Sequence, residues 1–113
     1  MVTINKYQEL AMRTANLNAS PKELLMECGL GIAGEAGEVA DRIKKGTRQG
    51  HEIDREKLLE ELGDVAWYIA YGCYLLNADM ESVLQGNIDK LHRRYPEGFD
   101  AERSVRRSEY GAE

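Results

Sequence analysis

The chain has 113 residues, of which 42% are hydrophobic and 31% charged, and its formal net charge is -5. That length suits one domain with a core of its own and is too short for two. The acidic balance argues against broad nucleic-acid binding, which takes a basic face, and no apolar run reaches the ~18 residues of a membrane span. The opening MVTINKYQEL lacks the basic and apolar regions of a signal peptide. Cys28 and Cys73 both fall inside apolar helical patterns, as free thiols in a reducing compartment do. The expected setting is therefore cytoplasmic, with no membrane and no nucleic-acid partner.

The first helix is expected over residues 3–18, where Ile4, Tyr7, Leu10, Ala11, Thr14 and Leu17 recur at threes and fours. NASP breaks it. Ser20-Pro21-Lys22-Glu23 then starts a second helix, with Ser20 as N-cap, Pro21 at the first helical position and Glu23 closing a capping box. This helix should run over about 21–45, with an apolar seam of Leu25, Cys28, Ile32, Ala36, Val39 and Ile43. GTRQGHEI, residues 46–53, reads as a loop. Asp54 is positioned to cap a third helix over about 55–77, with Leu58, Leu62, Val65, Ile69, Cys73 and Leu76 as its seam. Residues 77–79 are a short connector, and Asp79 is placed to cap a fourth helix carrying Met80, Leu84, Ile88 and Leu91 on one side. Pro96 ends that helix, because the residue before a proline avoids helical geometry. The charged stretch 100–113 is expected to be a loosely ordered tail. The fold class is all-α.

Within the second helix, GLGIAGEAGEVAD places four glycines and two glutamates in thirteen residues. An interior glycine costs a helix about 1 kcal/mol relative to alanine, so the stretch needs a reason. Glu35 and Glu38 stand three apart on one side of the helix, and Glu61 and Asp64 repeat that spacing on the third. The residues between Glu38 and Glu61 suffice to end one helix, turn and begin an antiparallel neighbour. Glu35 and Glu61 each border an apolar seam, whereas solvated glutamates favour the opposite face. Four converging carboxylates stay ionised only with a cation among them. Carboxylates without histidine or thiolate partners suit a hard cation such as Mg²⁺ or Mn²⁺; both histidines, His51 and His92, lie far from the pairs in sequence. Gly31, Gly34 and Gly37, and Gly63 on the third helix, would let another helix or a ligand approach closely. A single ExxE on a helix is usually surface decoration; two such pairs beside apolar seams and glycines shift the balance toward a metal site.

GEAGEVADRIKK followed by LLEELGDVAWYIA resembles the signature of the MazG-like nucleotide pyrophosphohydrolases, an ExxE and, after a gap, an ExxD. NIDKLHRRYPEGF, residues 87–99, resembles the basic segment that follows in that family. The resemblance covers about residues 5–99 and implies an all-α domain over 1–99, a bundle of four to five helices completed by homodimerisation or as a dimer of dimers. It implies cleavage of a nucleoside triphosphate between its α and β phosphates with Mg²⁺, or Mn²⁺ in its place. By motif match Glu35, Glu38, Glu61 and Asp64 would be metal ligands, and Glu60 and Glu38 the catalytic candidates, with Glu60 placed to orient or deprotonate water. Lys44, Lys45, Lys90 and Arg94 are candidates for the phosphates, and Trp67, Tyr68, Asn87 and Gln8 for the base or sugar. Two rival readings remain. A di-iron bundle needs Glu-x-x-His twice, and the nearest approach here is Asp89-x-x-His92. A non-catalytic helical interaction or regulatory module would explain the amphipathic helices but not the inward-facing acids.

Overall fold

In a computed structural model, which describes residues 1–48, 50 and 52–106, five helices follow in order. They are α1 (Ile4–Met12), α2 (Pro21–Arg48), α3 (Arg55–Leu75), α4 (Met80–Arg94) and α5 (Ala101–Val105), and no strand element occurs among the described residues. The expected all-α class holds. The chain divides into two units, Met1–Met80 and a second that begins at Glu81.

Capping chemistry sets most helix starts. Thr3 Oγ1 accepts from the Lys6 N–H at the head of α1. Ser20 Oγ accepts from the Glu23 N–H at 3.2 Å and donates to Glu23 Oε1 at 2.8 Å, so the expected cap forms with the glutamate turned onto the serine hydroxyl. Asp54 caps α3 through the Lys57 N–H.

Two helix ends differ from the sequence expectation. α1 stops at Met12 instead of residue 18. Thr14 fits the apolar spacing, but its hydroxyl donates to the Ala11 carbonyl at 2.7 Å, and Asn16 Oδ1 takes the Asn18 N–H. Such local bonds give the backbone an alternative to the helix. α2 continues to Arg48 through the stretch expected to be loop. Thr47 Oγ1 donates to the Ile43 carbonyl, and Ile53 packs so closely on Gly46 that a Cβ there would overlap it. His51 lies outside the described residues. α3 ends in a Schellman turn: Asn77 takes a left-handed φ of 58°, the Ala78 N–H reaches the Cys73 carbonyl, and the Asn77 N–H reaches that of Tyr74.

In the first unit α3 packs against both α1 and α2. Ala70, Cys73 and Met80 form a small buried cluster, with Tyr7, Met12 and Ala78 against it. Gln8 locks this junction. Its Nε2 donates to the Ala70 and Ala78 carbonyls and its Oε1 accepts from the Met80 N–H at 2.8 Å. In the second unit Asp100 caps α5, and the Arg103 Nε donates to the Arg94 carbonyl at 2.6 Å. Ala101–Val105 is thus helical where a loose tail was expected; residues 107–113 lie outside the described residues.

The apolar seams also differ from expectation. The face that α2 turns inward runs through Leu24, Cys28, Gly31, Glu35, Val39, Arg42 and Gly46. Leu25, Ile32, Ala36 and Ile43, expected inside, are exposed, as are Leu62 and Ile69 of α3 and Leu76 at its C-cap. Hydrophobicity alone marks a face of each helix that the described residues leave exposed.

Candidate functional site

The contacts between α2 and α3 run in opposite senses. Cys28 Sγ donates to the Tyr68 carbonyl, Gly31 lies under the Tyr68 ring, Arg42 meets Glu61, and Gly46 meets Ile53. The helices are therefore antiparallel, as the gap between the acidic pairs implied. Gly31 answers part of the question raised by the glycine-rich stretch. A Cβ there would fall inside van der Waals contact of three Tyr68 ring carbons, so only glycine lets that ring lie across α2. Gly34, Gly37 and Gly63 meet nothing within 4 Å; the expected close approach does not occur at them within this chain, because they sit away from the α2–α3 contact.

At the middle of this contact, Glu35, Glu61 and Asp64 each present a carboxylate oxygen, and the three oxygens lie within 4.8 Å of one another. Glu35 and Glu61 are half-buried and Asp64 is exposed. Loss of hydration, and then the charges of Asp64, Glu61 and Glu38, raise the Glu35 carboxyl above its ordinary pKa. Arg42 offsets part of this charge: its Nε donates to Glu61 Oε1 at 3.0 Å, where the Glu61 side chain is 14% exposed. Tyr7, from α1, is close enough that burial and then the Asp64 charge raise its hydroxyl pKa. Three hard oxygen donors converging without nitrogen or sulfur fit a Mg²⁺- or Mn²⁺-type ion, which takes a few carboxylates and completes its shell with water and substrate oxygens.

The other residues singled out in the sequence are placed differently. Glu38 is exposed and outside the converging trio, though its charge reaches Glu35. Glu60 faces solvent and pairs with Lys57 at 3.3 Å. Lys45 pairs with Asp41 at 2.9 Å, which holds the Asp41 carboxyl below its ordinary range; Lys44 is exposed. With Arg42, Glu52 and Asp54, Lys45 lines a small hollow of about 150 Å³. Gln8 does not serve as an open base contact, because both ends of its amide are bound at the α1–α3 junction. Trp67 Nε1 donates to the Ala11 carbonyl and to Thr14 Oγ1, and its ring meets Tyr68 edge-on at 5.0 Å and Tyr71 at 5.2 Å. These three rings, with Asn16 and Glu27, line a slot of about 170 Å³. Asn87, Lys90 and Arg94 belong to the second unit, where Lys90 and Arg94 are half-buried and Asn87 is exposed.

Two participants escaped the sequence reading. Arg42 lies seven residues beyond Glu35, two helical turns along the same face, and that spacing was the available signal. Tyr7 was read as part of the apolar stripe of α1, which it also is.

Residues 24–99, which carry all four acidic motif positions, match the MazG nucleotide pyrophosphohydrolase domain. The chain belongs to the MazG family. The match covers both acidic helices and the later basic segment, so the resemblance read from GEAGE and EELGD is borne out. Gene 37 protein of Mycobacterium phage L5 is 38% identical over 73 residues, covering 61% of this chain and 64% of that relative. The similarity thus spans just under two-thirds of the relative's length. No solved structure matches the chain. No helix among the described residues of this MazG-family chain is long and apolar enough to cross a membrane.

Proposed function

We propose that this MazG domain hydrolyses a nucleoside triphosphate, ribo or deoxy, between the α and β phosphates, releasing monophosphate and pyrophosphate. The observation that carries the reading is the convergence of Glu35, Glu61 and Asp64 inside the family's matched region. These three would hold Mg²⁺ or Mn²⁺, with Glu38 one turn further along α2 as a fourth, outer carboxylate. A bound divalent cation would supply charge neutralisation at the phosphates and a more acidic water. Arg42 fixes the orientation of Glu61 and offers its remaining guanidinium nitrogens to phosphate oxygens. Lys45, beside Arg42 in the same hollow, adds positive charge for the leaving pyrophosphate. Positioning and electrostatics of this kind carry most of the catalysis of phosphoryl transfer. Glu60 is placed to accept a proton only after releasing Lys57, so Glu38 is the better candidate for orienting water. Lys90 and Arg94 are kept as phosphate candidates and Asn87 as a base or sugar candidate on the motif match alone.

The exposed apolar face of α2 supports a homodimer or a dimer of dimers. Leu25, Ile32 and Ile43 lie on it at 46%, 37% and 42% exposure, with Gly29 and Ala36 between them, a smooth surface suited to a second copy. Such a face also suits an interaction module, but that reading leaves the half-buried carboxylates without a purpose. The free, buried Cys28 and Cys73 support a reducing, cytoplasmic setting; the net charge of -5 gives no support to nucleic-acid binding.

The test is a panel of common and noncanonical nucleoside triphosphates with Mg²⁺ or Mn²⁺, products resolved by chromatography. Monophosphate with pyrophosphate is the expected result. Diphosphate with phosphate would overturn the reaction assigned, and no turnover with either metal would favour the interaction module.

A further inference from the structure

We propose that the aromatic slot beside the acidic cluster is a nucleobase seat that selects guanine, with Glu27 as the reading group and Asn16 as its complement. This rests on the pyrophosphohydrolase reading for the location of the phosphates and adds the identity of the base.

Position is the first argument. Glu27, Gly31 and Glu35 follow at intervals of four along α2, Glu27 exposed at the slot and the other two half-buried, and Asp64, Tyr68 and Tyr71 mark successive turns of α3. At 1.5 Å per residue, Glu27 lies about 12 Å along α2 from Glu35. The slot therefore begins one turn from the carboxylates and ends two turns away. Arg42 and Lys45 lie on the other side of the same cluster. The α2–α3 contact carries a fixed order along its length: aromatic rings, then carboxylates, then cations. A nucleotide laid along it puts its base in the slot, its α-phosphate at the acids and its outer phosphates at the cations.

The slot's volume of about 170 Å³ is below the roughly 300–1,000 Å³ of sites that hold whole ligands. It is sized for one flat ring system. Its walls are held in advance. Trp67 is fixed by two hydrogen bonds to the end of α1, Tyr68 is seated on Gly31, and Tyr71 is buried at 4% exposure. Trp67 and Tyr68 are half-buried and keep ring surface for a base, with Tyr71 packed behind them; such rings stack on any base, so they give affinity and no choice.

Choice comes from the polar rim. Asn16 Oδ1 already accepts the Asn18 N–H at 3.0 Å, which leaves its Nδ2 as a donor. Glu27 has no hydrogen-bond or ion-pair partner among the described residues, and its charge acts on the Tyr71 hydroxyl at the slot wall. A carboxylate only accepts, and it accepts best from two parallel N–H groups. Guanine alone among the common bases offers adjacent donors, N1–H and the N2 amino group, with the O6 acceptor beside them for Asn16. Adenine and cytosine would set a ring-nitrogen lone pair against the Glu27 charge, and uracil and thymine offer a single donor.

Trp67 is the only tryptophan of the chain and so reports on its own slot. Its fluorescence is followed while GMP, AMP, CMP and UMP are titrated into the full chain with Mg²⁺. The expected result is saturable quenching by GMP with an affinity at least about tenfold above the others, a difference of about 1.4 kcal/mol. Glu27 is exposed, so Glu27→Gln should fold; it is expected to lose the GMP preference, with GMP binding weakened and AMP and CMP binding unchanged or stronger, because the amide carries no charge and adds an N–H donor for their ring nitrogens. Equal binding of all four by the unaltered protein would overturn the proposal, and so would an unchanged GMP preference in Glu27→Gln. Monophosphate binding needs no turnover, so the two readings fail separately. Selective GMP binding without hydrolysis removes the reaction and keeps the seat; hydrolysis without any base preference does the reverse.

Discussion

The two long faces of α2 break the usual rules of burial in opposite ways. On the inner face Glu35 and Arg42, residue types that favour solvent, are drawn half inside against α3. On the outer face Leu25, Ile32 and Ile43 are left exposed. A helix meant only to complete this chain's core would do neither. The inner face gathers charge and the outer face leaves apolar side chains in the open, and the glycines differ between them: Gly31 is required inside by Tyr68, while a Cβ at Gly34 or Gly37 would meet nothing within 4 Å among the described residues.

Substitutions can separate the faces, and the largest effect is expected inside. Asp64→Asn should lower hydrolysis by more than the roughly 10–100-fold that loss of a supporting partner costs a metal site. The helical circular dichroism should be unchanged, since Asp64 is exposed. Glu38→Gln, outside the converging trio, should cost less; an equal loss would place Glu38 among the primary ligands. On the outer face, if the proposed dimer forms there, the unaltered chain should have a dimer's mass or more by light scattering and Ile32→Asp a monomer's; an unchanged mass would remove the dimer from this face. Gly31→Ala should lower stability by about 1–3 kcal/mol through overpacking against Tyr68. Gly34→Ala should be neutral or raise stability by up to about 1 kcal/mol, the ordinary helix preference for alanine. Thermal unfolding of the pair checks this contrast, and equal effects would break it. The smallest effect is expected for Lys45→Ala. Its pair with Asp41 is solvent-exposed, so the melting midpoint should not move. The Asp41 carboxyl should titrate at higher pH by NMR once its cationic partner is gone, and KM for nucleotide should rise.

Much of this was legible in the sequence because it is local. Ser20, Asp54 and Pro96 mark helix boundaries by chemistry that acts within four residues, and the three-residue spacing of the acids survives folding unchanged. The end of α1 was not legible: Thr14 keeps the apolar period while its hydroxyl bonds back to Ala11. Nor was the choice of inner face on α2. The outer stripe is the more continuously apolar of the two, and hydrophobicity says that a surface will be covered without saying by what. Arg42 was passed over because a charged residue in a basic run reads as solvated until Glu61 is placed beside it. Gln8 was read as a possible base contact because its role depends on backbone groups 62 to 72 residues away.

The most direct test of the central claim is Mn²⁺ binding to the nucleotide-free protein, followed by electron paramagnetic resonance, in the unaltered chain and in Asp64→Asn. Saturable binding is expected, weakening at least about tenfold in the variant. No binding to the unaltered chain, or the same affinity in both, would contradict a cation site built from Glu35, Glu61 and Asp64.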